Sequence, residues 1–261
     1  MTVGILITTF LRDKLLQQCL DSIIKYWNDD YYVIIVDQGR KENTNFTYPN
    51  DLNGEYIKTK FDIGALKARN IAIKRFHELN IPFILMSADS IMFTQKYDFS
   101  TIKEFLNQED DRFLCGFNIA HRLPWECDMK KKECFYLDLP QRNIIEFKNI
   151  KFQPVDLCRN FFLAKTNLLI NSLYDEDRKL ADHETSFWRW KEKEYKCYYT
   201  NNIEANYILD RPDEYKQMRN RFAEMRNLMM KKYNLSGWVN YSKELTEYWN
   251  KWKMNEKGVN K

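Results

Sequence analysis

Histidine is scarce in this chain of 261 residues, which has only His77, His121 and His183. The six cysteines include no Cys-x-x-Cys pair, so the chain has few candidate ligands for a zinc ion. We expect the cysteines to be reduced thiols that lie mostly in the core. These two residue types therefore indicate no zinc-dependent chemistry.

The chain also lacks a long apolar run and a large excess of one charge. No stretch approaches the ~18 consecutive apolar residues of a membrane span. The amino-terminal MTVGILITTF has neither a basic region nor a small-residue cleavage site, so we do not expect a signal peptide. Basic residues number 41 against 37 acidic ones, spread along the chain, which indicates an ordinary surface and no nucleic-acid-binding stripe. These features predict a cytoplasmic protein.

Short apolar runs alternate with amphipathic segments over the first third of the chain. Val3–Thr8, Tyr32–Val36 and Phe83–Met86 are typical of buried strands. Between them, residues 14–27 and 63–79 carry apolar side chains at helical spacing. This alternation predicts an α/β fold, with a mainly parallel sheet and helices on both faces.

The composition changes at about residue 211, where the chain becomes basic and rich in tyrosine and tryptophan. We therefore expect an α/β domain over residues 1–210 and a helical carboxyl-terminal extension over residues 211–261. A basic, aromatic, amphipathic helix can lie at a membrane surface, which would make the protein peripheral to the membrane. Packing against the domain or a dimer contact are the alternative interpretations of the extension.

Polar residues follow three of the predicted strands: Thr8 and Thr9, then Asp37, then Asp89. Burying an unpaired carboxylate at the end of an apolar strand is costly. In open parallel sheets, ligands bind outside the carboxyl ends of the strands. These residues are therefore candidates for a ligand-binding site.

Four segments in this order extend the pattern: ILITTFLRDKLLQQCLDSI, YVIIVDQG, FDIGALKARNIAI and FILMSADSIMF. They resemble the nucleotide-sugar-binding half of family-2-like glycosyltransferases with the GT-A (Rossmann-like) fold. VDLCRNFFLAKTNLL and ADHETSFWRWKEKEYKCYY resemble segments of the β-1,4-N-acetylgalactosaminyltransferase-like branch, and LDRPDEYKQMRNRF (residues 209–222) is similar to the stretch that closes that domain. The resemblance covers about residues 3–222. It implies an inverting enzyme that moves a hexosyl or N-acetylhexosaminyl group from a UDP-sugar to a hydroxyl of a glycan or glycoconjugate.

The resemblance also implies which residues bind the donor: Thr8, Thr9, Arg12, Asp37, Asp62, Gly64, Lys67, Arg69, Ser87 and Asp89. Asp37 would accept the imide N–H of uracil, and Arg12 would lie near the phosphates. The alternatives are a turn aspartate at position 37, helix-capping threonines and a solvated basic turn around Lys67 and Arg69.

A divalent metal is the next implication, because the family carries a D-x-D motif. The last aspartate of this motif matches Asp89. Its first aspartate is replaced by Ser87 in this chain. The histidine that follows the last core strand in the family is missing, and Asp210 occupies roughly that place. We expect Asp89 and Asp210 to hold Mn²⁺ or Mg²⁺, and to hold it more weakly than a site with two motif acids.

The resemblance also implies a carboxylate that acts as general base. The position of this residue in the family matches Asp182 best, and Glu184 is the alternative. The competing interpretation is that these acids only cap a helix. Trp125, Trp188 and Trp190 are candidates to stack on sugar rings, whereas we expect Phe161 and Phe162 to lie in the core.

Three other functions compete with this interpretation. The first is a glycosyltransferase acting on modified bases of nucleic acid. The second is a sugar-phosphate nucleotidyltransferase, which would need a glycine-rich phosphate loop that TTFLRDK lacks. The third is a catalytically degenerate domain that binds nucleotide sugars or glycans, because Ser87 replaces a metal-site acid.

Overall fold

A computed structural model of the protein describes residues 2–27, 31–39, 46–119, 126–128, 133–135, 143–177, 179–180, 183–234 and 237–238. The strands are β1 (Val3–Thr9), β2 (Tyr31–Asp37), β3 (Gly54–Lys58), β4 (Phe83–Met86), β5 (Ile91–Met92), β6 (Arg112–Ile119), β7 (Glu126–Asp128), β8 (Glu133–Phe135), β9 (Ile145–Phe147), β10 (Ile150–Val155), β11 (Phe162–Lys165), β12 (Lys196–Tyr207) and β13 (Gly237–Trp238). The helices are α1 (Asp13–Tyr26), α2 (Ala65–Glu78), α3 (Ser100–Asn107), α4 (Thr166–Ile170), α5 (His183–Glu192), α6 (Asp213–Arg219) and α7 (Phe222–Lys232).

The main sheet has the strand order β3-β2-β1-β4-β11-β6-β12-β10-β9. The first four strands are parallel, with β1 between β2 and β4. Strand β11 then runs antiparallel to both β4 and β6, and β6 pairs in parallel with β12. The sheet is therefore parallel in its amino-terminal half, as predicted, and mixed in its other half.

Helices cover both faces of this sheet, as the hydrophobic pattern predicts. Alternate residues of a strand face opposite sides, so Ile5 and Ile7 join one apolar cluster and Leu6 joins the other. Helices α1 and α3 pack into the first cluster, while α2, α4 and α5 pack into the second. The four cysteines whose burial is described, at positions 19, 115, 158 and 197, are free thiols in these cores, as expected.

The end of β12 returns to the middle of the molecule. Tyr207 pairs with Ile91 of β5, and the Ile208 N–H donates to the Ser90 carbonyl over 2.9 Å. Tyr207 and Ile208 therefore lie beside the segment that contains Asp89, although they are more than a hundred positions later in the chain.

Helices α6 and α7 and the short strand β13 belong to the described part of the carboxyl-terminal extension. Residues 239–261, on which the membrane-surface prediction mainly rests, lie outside the described residues. Within the part of the chain that the structure describes, no helix is long and apolar enough to cross a membrane.

Candidate active site

The polar residues of the candidate site gather where the strand order changes direction. From β1 the chain continues outward through β2 and β3, whereas β4 lies on the other side of β1. Helices on opposite faces leave a crevice at such a point, outside the carboxyl ends of the strands. Thr9, Arg12, Asp37 and Asp89 all lie at this edge of the sheet.

Asp89 is fully buried and is held by Thr9, the last residue of β1, and by Arg12, which follows that strand. The Thr9 hydroxyl donates to its Oδ2 over 2.8 Å. Arg12 uses both ends of its guanidinium: Nε donates to Oδ2 over 3.0 Å, and Nη2 donates to Oδ1. Burial raises the pKa of Asp89, while the charge of Arg12 and both hydrogen bonds oppose that rise. The carboxylate that the apolar strand cannot accommodate is thus paired with a planar, bidentate partner.

Ser87 lies two positions before Asp89 and is also fully buried. Its backbone N–H donates to the Leu6 carbonyl over 2.9 Å, which fixes the end of β4 against β1. The Ser87 hydroxyl has no hydrogen-bond partner within the described residues. Because buried polar atoms are nearly always satisfied, this oxygen is available to a ligand.

Asp37 ends β2 and is almost completely buried. Its Oδ1 accepts the Gly39 N–H over 2.7 Å, and its Oδ2 accepts Lys58 Nζ over 2.7 Å and the Tyr56 hydroxyl. The Gly39 contact is the turn chemistry that was the alternative interpretation of this residue. A carboxylate has about four acceptor positions, so these three bonds leave one for a further donor.

Gln38 fixes the loop after β3, although it was not among the predicted site residues. Its carbonyl accepts the Asp62 N–H over 3.0 Å, and its side-chain oxygen accepts the Gly64 N–H over 2.8 Å. Gly64 has φ +94°, and a Cβ there would lie 2.7 Å from Lys179 Cα. Only glycine therefore lets the start of α2 approach the segment that contains Lys179.

Asp62 in this loop is an ion-pair centre. Lys179 Nζ lies 2.7 Å from its Oδ2, and Arg221 donates from Nη1 and Nη2 over 3.1 and 3.2 Å. Partial burial raises the pKa of Asp62, but the hydrogen bonds from Arg221 and Lys179 outweigh it and leave that pKa below its ordinary value.

The two basic residues predicted on α2 take different positions. Lys67 is exposed on the helix surface. Arg69 is buried, with its guanidinium carbon 5.3 Å from the centre of the Tyr174 ring. Next to it, Asn70 donates to the Tyr174 carbonyl over 2.8 Å and accepts the Tyr174 N–H over 2.9 Å. Arg69 is thus packed against Tyr174, on the side of α2 that contacts the segment after α4.

The oxygen atoms around Asp89 suit a hard divalent cation. Oδ1 of Asp89 accepts only the Arg12 bond among the contacts described, Ser87 offers an unpartnered hydroxyl, and Asp210 lies exposed two residues after the Ile208–Ser90 contact. Oxygen ligands of this kind are those that Mg²⁺ and Mn²⁺ take. Among the described residues, no group of three or more His, Cys, Asp or Glu side chains is placed to hold a metal. The described part of the chain therefore provides one buried carboxylate and one unpartnered hydroxyl of the donor type that such a cation takes, and no complete set of protein ligands.

Of the two candidate bases, only Glu184 belongs to the described residues: it is in the first turn of α5, with its side chain outside the description. Asp182 lies outside the described residues. The preceding segment is positioned nevertheless: the Ala65 N–H donates to the Lys179 carbonyl over 3.0 Å. Lys179 also pairs with Asp62, so residue 179 lies beside the loop that follows β3.

The prediction that Trp188 and Trp190 stack on sugar rings is wrong, because they are only 3% and 1% exposed. Trp190 Nε1 donates to the Ser172 carbonyl, and its ring packs against Phe113, Phe162 and Phe187. Phe161 and Phe162 are fully buried, as expected. Trp125 lies outside the described residues.

Several residues of the site were missed from sequence. Tyr56, Lys58, Lys179, Tyr215 and Arg221 contact predicted site residues. Tyr56 and Lys58 alternate on a strand next to β2, and Tyr215 and Arg221 lie in the closing segment LDRPDEYKQMRNRF, whereas Lys179 belongs to no recognised motif. Tyr215 and Arg221 belong to the extension that we had separated from the domain.

No protein-family model and no curated protein sequence matches this chain. Solved structures do share its fold. The structure of residues 1–349 of S. aureus TarS in complex with UDP-GlcNAc has a TM-score of 0.58 at 15% identity, over 96% of this chain and 72% of that chain. The mannosyltransferase PcManGT from Pyrobaculum calidifontis, in complex with GDP-Man and Mn²⁺, has a TM-score of 0.57 at 11% identity, over 90% of this chain and 64% of that chain.

A further TarS structure has a TM-score of 0.56 at 15% identity and covers 89% of this chain. This chain spans only 39% of the length of that TarS chain. At these identities the likeness concerns the fold, and the sheet topology agrees with it. The protein therefore has the GT-A fold that its sequence motifs implied.

Proposed function

We propose that the protein is a glycosyltransferase that moves a sugar from a UDP-sugar to a hydroxyl of a glycan or glycoconjugate. The observation that carries this proposal is the pair of buried carboxylates, Asp37 and Asp89, that flank β1 at the switch point of a GT-A sheet. The complexes of TarS with UDP-GlcNAc and of PcManGT with GDP-Man and Mn²⁺ support it.

In this proposal the donor lies along the carboxyl edge of the sheet. The remaining acceptor position of Asp37 takes the imide N–H of uracil, and Arg12 at the start of α1 faces the diphosphate, where a helix amino terminus also favours an anion. Thr8, Thr9, Asp62, Gly64, Lys67 and Arg69 complete the donor side. Ser87, Asp89 and Asp210 would hold Mn²⁺ or Mg²⁺, which would neutralise charge on the leaving diphosphate.

For the chemical step we propose Asp182 as the general base, with Glu184 as the alternative. The carboxylate takes the proton of the acceptor hydroxyl while that oxygen attacks the anomeric carbon. The bond from this carbon to the diphosphate breaks on the opposite face, so the configuration inverts. The Lys179 contacts support this assignment, because they bring the chain to the donor loop three residues before Asp182.

The test is a panel of UDP- and GDP-sugars, including hexoses and N-acetylhexosamines, measured for thermal stabilisation and hydrolysis with and without Mn²⁺. We expect UDP-sugars to raise the melting temperature and at least one to be hydrolysed. The sugar that is turned over fastest would identify the donor. No stabilisation by any nucleotide in either condition would contradict the proposal.

A second candidate function is binding of nucleotide sugars without turnover. Arg12 occupies the Asp89 carboxylate and Ser87 replaces an acid, and both features favour a degenerate site. Stabilisation by UDP-sugars, with neither hydrolysis of the sugar nor its transfer to any glycan acceptor tested, would support this alternative.

The base assignment is tested by Asp182→Asn and Glu184→Gln. We expect Asp182→Asn to lower kcat about 100-fold or more, because general-base catalysis typically contributes that much. The Kd for UDP should stay within about twofold of wild type, since the base contacts the acceptor. Full activity of Asp182→Asn together with an inactive Glu184→Gln would assign the role to Glu184.

A further inference from the structure

Helix α6 packs directly on the candidate donor site. Tyr215 is 6% exposed, although its neighbours on the helix are exposed. The guanidinium carbon of Arg12 lies 4.4 Å from the centre of the Tyr215 ring, and the ring of Phe10 lies 6.4 Å from it. The same arginine that binds Asp89 is therefore stacked on the extension, a cation–π contact that also orients its guanidinium.

A second contact holds the extension in place six residues further on. Arg221, just before α7, makes two hydrogen bonds to Asp62. Tyr215 and Arg221 thus contact two donor-side residues, Arg12 and Asp62, which come from separate loops. This part of the extension is a wall of the candidate site.

Arg219 lies between these two contacts. Its Nη1 donates to the Tyr215 hydroxyl over 2.8 Å, and its guanidinium carbon lies 5.6 Å from the centre of the same ring. The residue is exposed, and no carboxylate contacts it within the described residues. Arg12 and Arg219 therefore share one aromatic ring, but among the described residues only Arg12 of the two is paired with a carboxylate.

Arg69 is a second cation that the charge of Arg219 affects. Burial lowers the pKa of Arg69, Tyr174 opposes this, and repulsion from Arg219 lowers that pKa further. Two cations that repel each other are both stabilised by an anion that binds beside them. A guanidinium offers a planar fork of donors that matches phosphate oxygens.

We propose that Arg219 binds the diphosphate of the nucleotide sugar, and that Tyr215 positions Arg219 together with Arg12. This inference rests on the proposed function and makes the extension part of the donor site. It also identifies a cation that offsets the missing acid at position 87, because charge on the diphosphate is then neutralised partly by arginine.

The test compares the Kd of UDP with the Kd of uridine, by calorimetry, with and without Mn²⁺. For Arg219→Gln we expect the Kd of UDP to rise about tenfold or more, because a charge-assisted hydrogen bond is lost. The Kd of uridine should stay within about twofold of wild type, since uridine has no phosphate. Arg219→Lys should recover part of the UDP affinity.

Lys216→Gln is the matched control. Lys216 is an exposed cation on the same helix, and its partner, over 2.9 Å, is Asp213. We expect its Kd for UDP to stay within about twofold of wild type, because a surface ion pair contributes little. An equal loss in Lys216→Gln and Arg219→Gln would overturn the proposal, because it would show a general charge effect.

Two further outcomes separate this inference from the proposed function. If the wild-type protein binds UDP and Arg219→Gln binds it equally well, the role of Arg219 is refuted and the proposed function stands. If the wild-type protein binds neither UDP nor any nucleotide sugar, the proposed function itself is refuted. A parallel loss of uridine and UDP affinity would also refute the diphosphate role.

Discussion

Asp37 and Asp89 are two buried carboxylates on opposite sides of β1, and they are held in different ways. Asp37 is bound by residues of its own neighbourhood: the turn at Gly39, and Tyr56 and Lys58 on the adjacent strand. The partners of Asp89 are Thr9 and Arg12, which are 80 and 77 residues away in the chain. One carboxylate is thus fixed by local strand pairing, and the other by the tertiary fold.

The two ion pairs also differ in their access to water. The Lys58 side chain is 19% exposed, whereas that of Arg12 is 10% exposed beside a fully buried Asp89. Lysine can move its ammonium group toward solvent when its partner is lost. Arginine held by Asp89 and Tyr215 has less freedom, so breaking its pair leaves a buried charge without compensation. The comparison therefore predicts unequal costs for equivalent substitutions.

The largest effect is expected for Asp89→Asn. This change keeps the shape of the side chain but removes the charge that Arg12 pairs with. We expect the free energy of unfolding to fall by about 3–5 kcal/mol, the usual cost of breaking a buried pair from one side. Urea denaturation measures this loss. A fall no greater than that of Asp37→Asn would show that the two pairs are equivalent, against the comparison.

A smaller effect on stability, of about 1–3 kcal/mol, is expected for Asp37→Asn, because Lys58 can rehydrate.

The main consequence of Asp37→Asn should concern binding of the nucleobase. We expect the Kd of UDP to rise about tenfold or more, since a charged acceptor for an N–H is lost. The Kd of pyrophosphate, which has no base, should stay within about twofold of wild type. An unchanged UDP affinity would leave Asp37 with its turn role alone.

The smallest effect on stability is expected for Ser87→Ala. Its hydroxyl makes no hydrogen bond within the described residues, so the free energy of unfolding should change by less than about 1 kcal/mol. The Mn²⁺ concentration needed for half-maximal stabilisation by a UDP-sugar should nevertheless rise about threefold or more, because an oxygen ligand is lost. A large loss of stability with an unchanged Mn²⁺ requirement would mean that Ser87 is purely structural.

The fold was predictable because its signals are periodic and local. The apolar runs at β1, β2 and β4 and the helical spacing of α1 and α2 indicate a parallel sheet with helices on both faces. The antiparallel insertion of β11 between β4 and β6 has no such signal, since strand direction depends on how the chain crosses the sheet. The mixed half of the sheet was therefore not predicted.

The candidate site was predictable to the extent that its residues stand at strand ends. Thr9, Arg12, Asp37 and Asp89 do meet at one edge of the sheet, as expected from their positions. Trp188 and Trp190 show the limit of this reasoning: residue type suggested sugar stacking, but both rings lie on the buried side of α5. The roles of Asp182 and Asp210 stay predictions.

The sequence by itself determined the order of strands and helices in the amino-terminal half and the presence of carboxylates at their ends. These features depend on side-chain periodicity, which neighbouring residues are sufficient to establish. Only the tertiary structure decided that Arg12 pairs with Asp89, and that Tyr215 and Arg221 from the extension complete the same site. Such contacts depend on the path of the chain between distant positions, and no local pattern encodes that path.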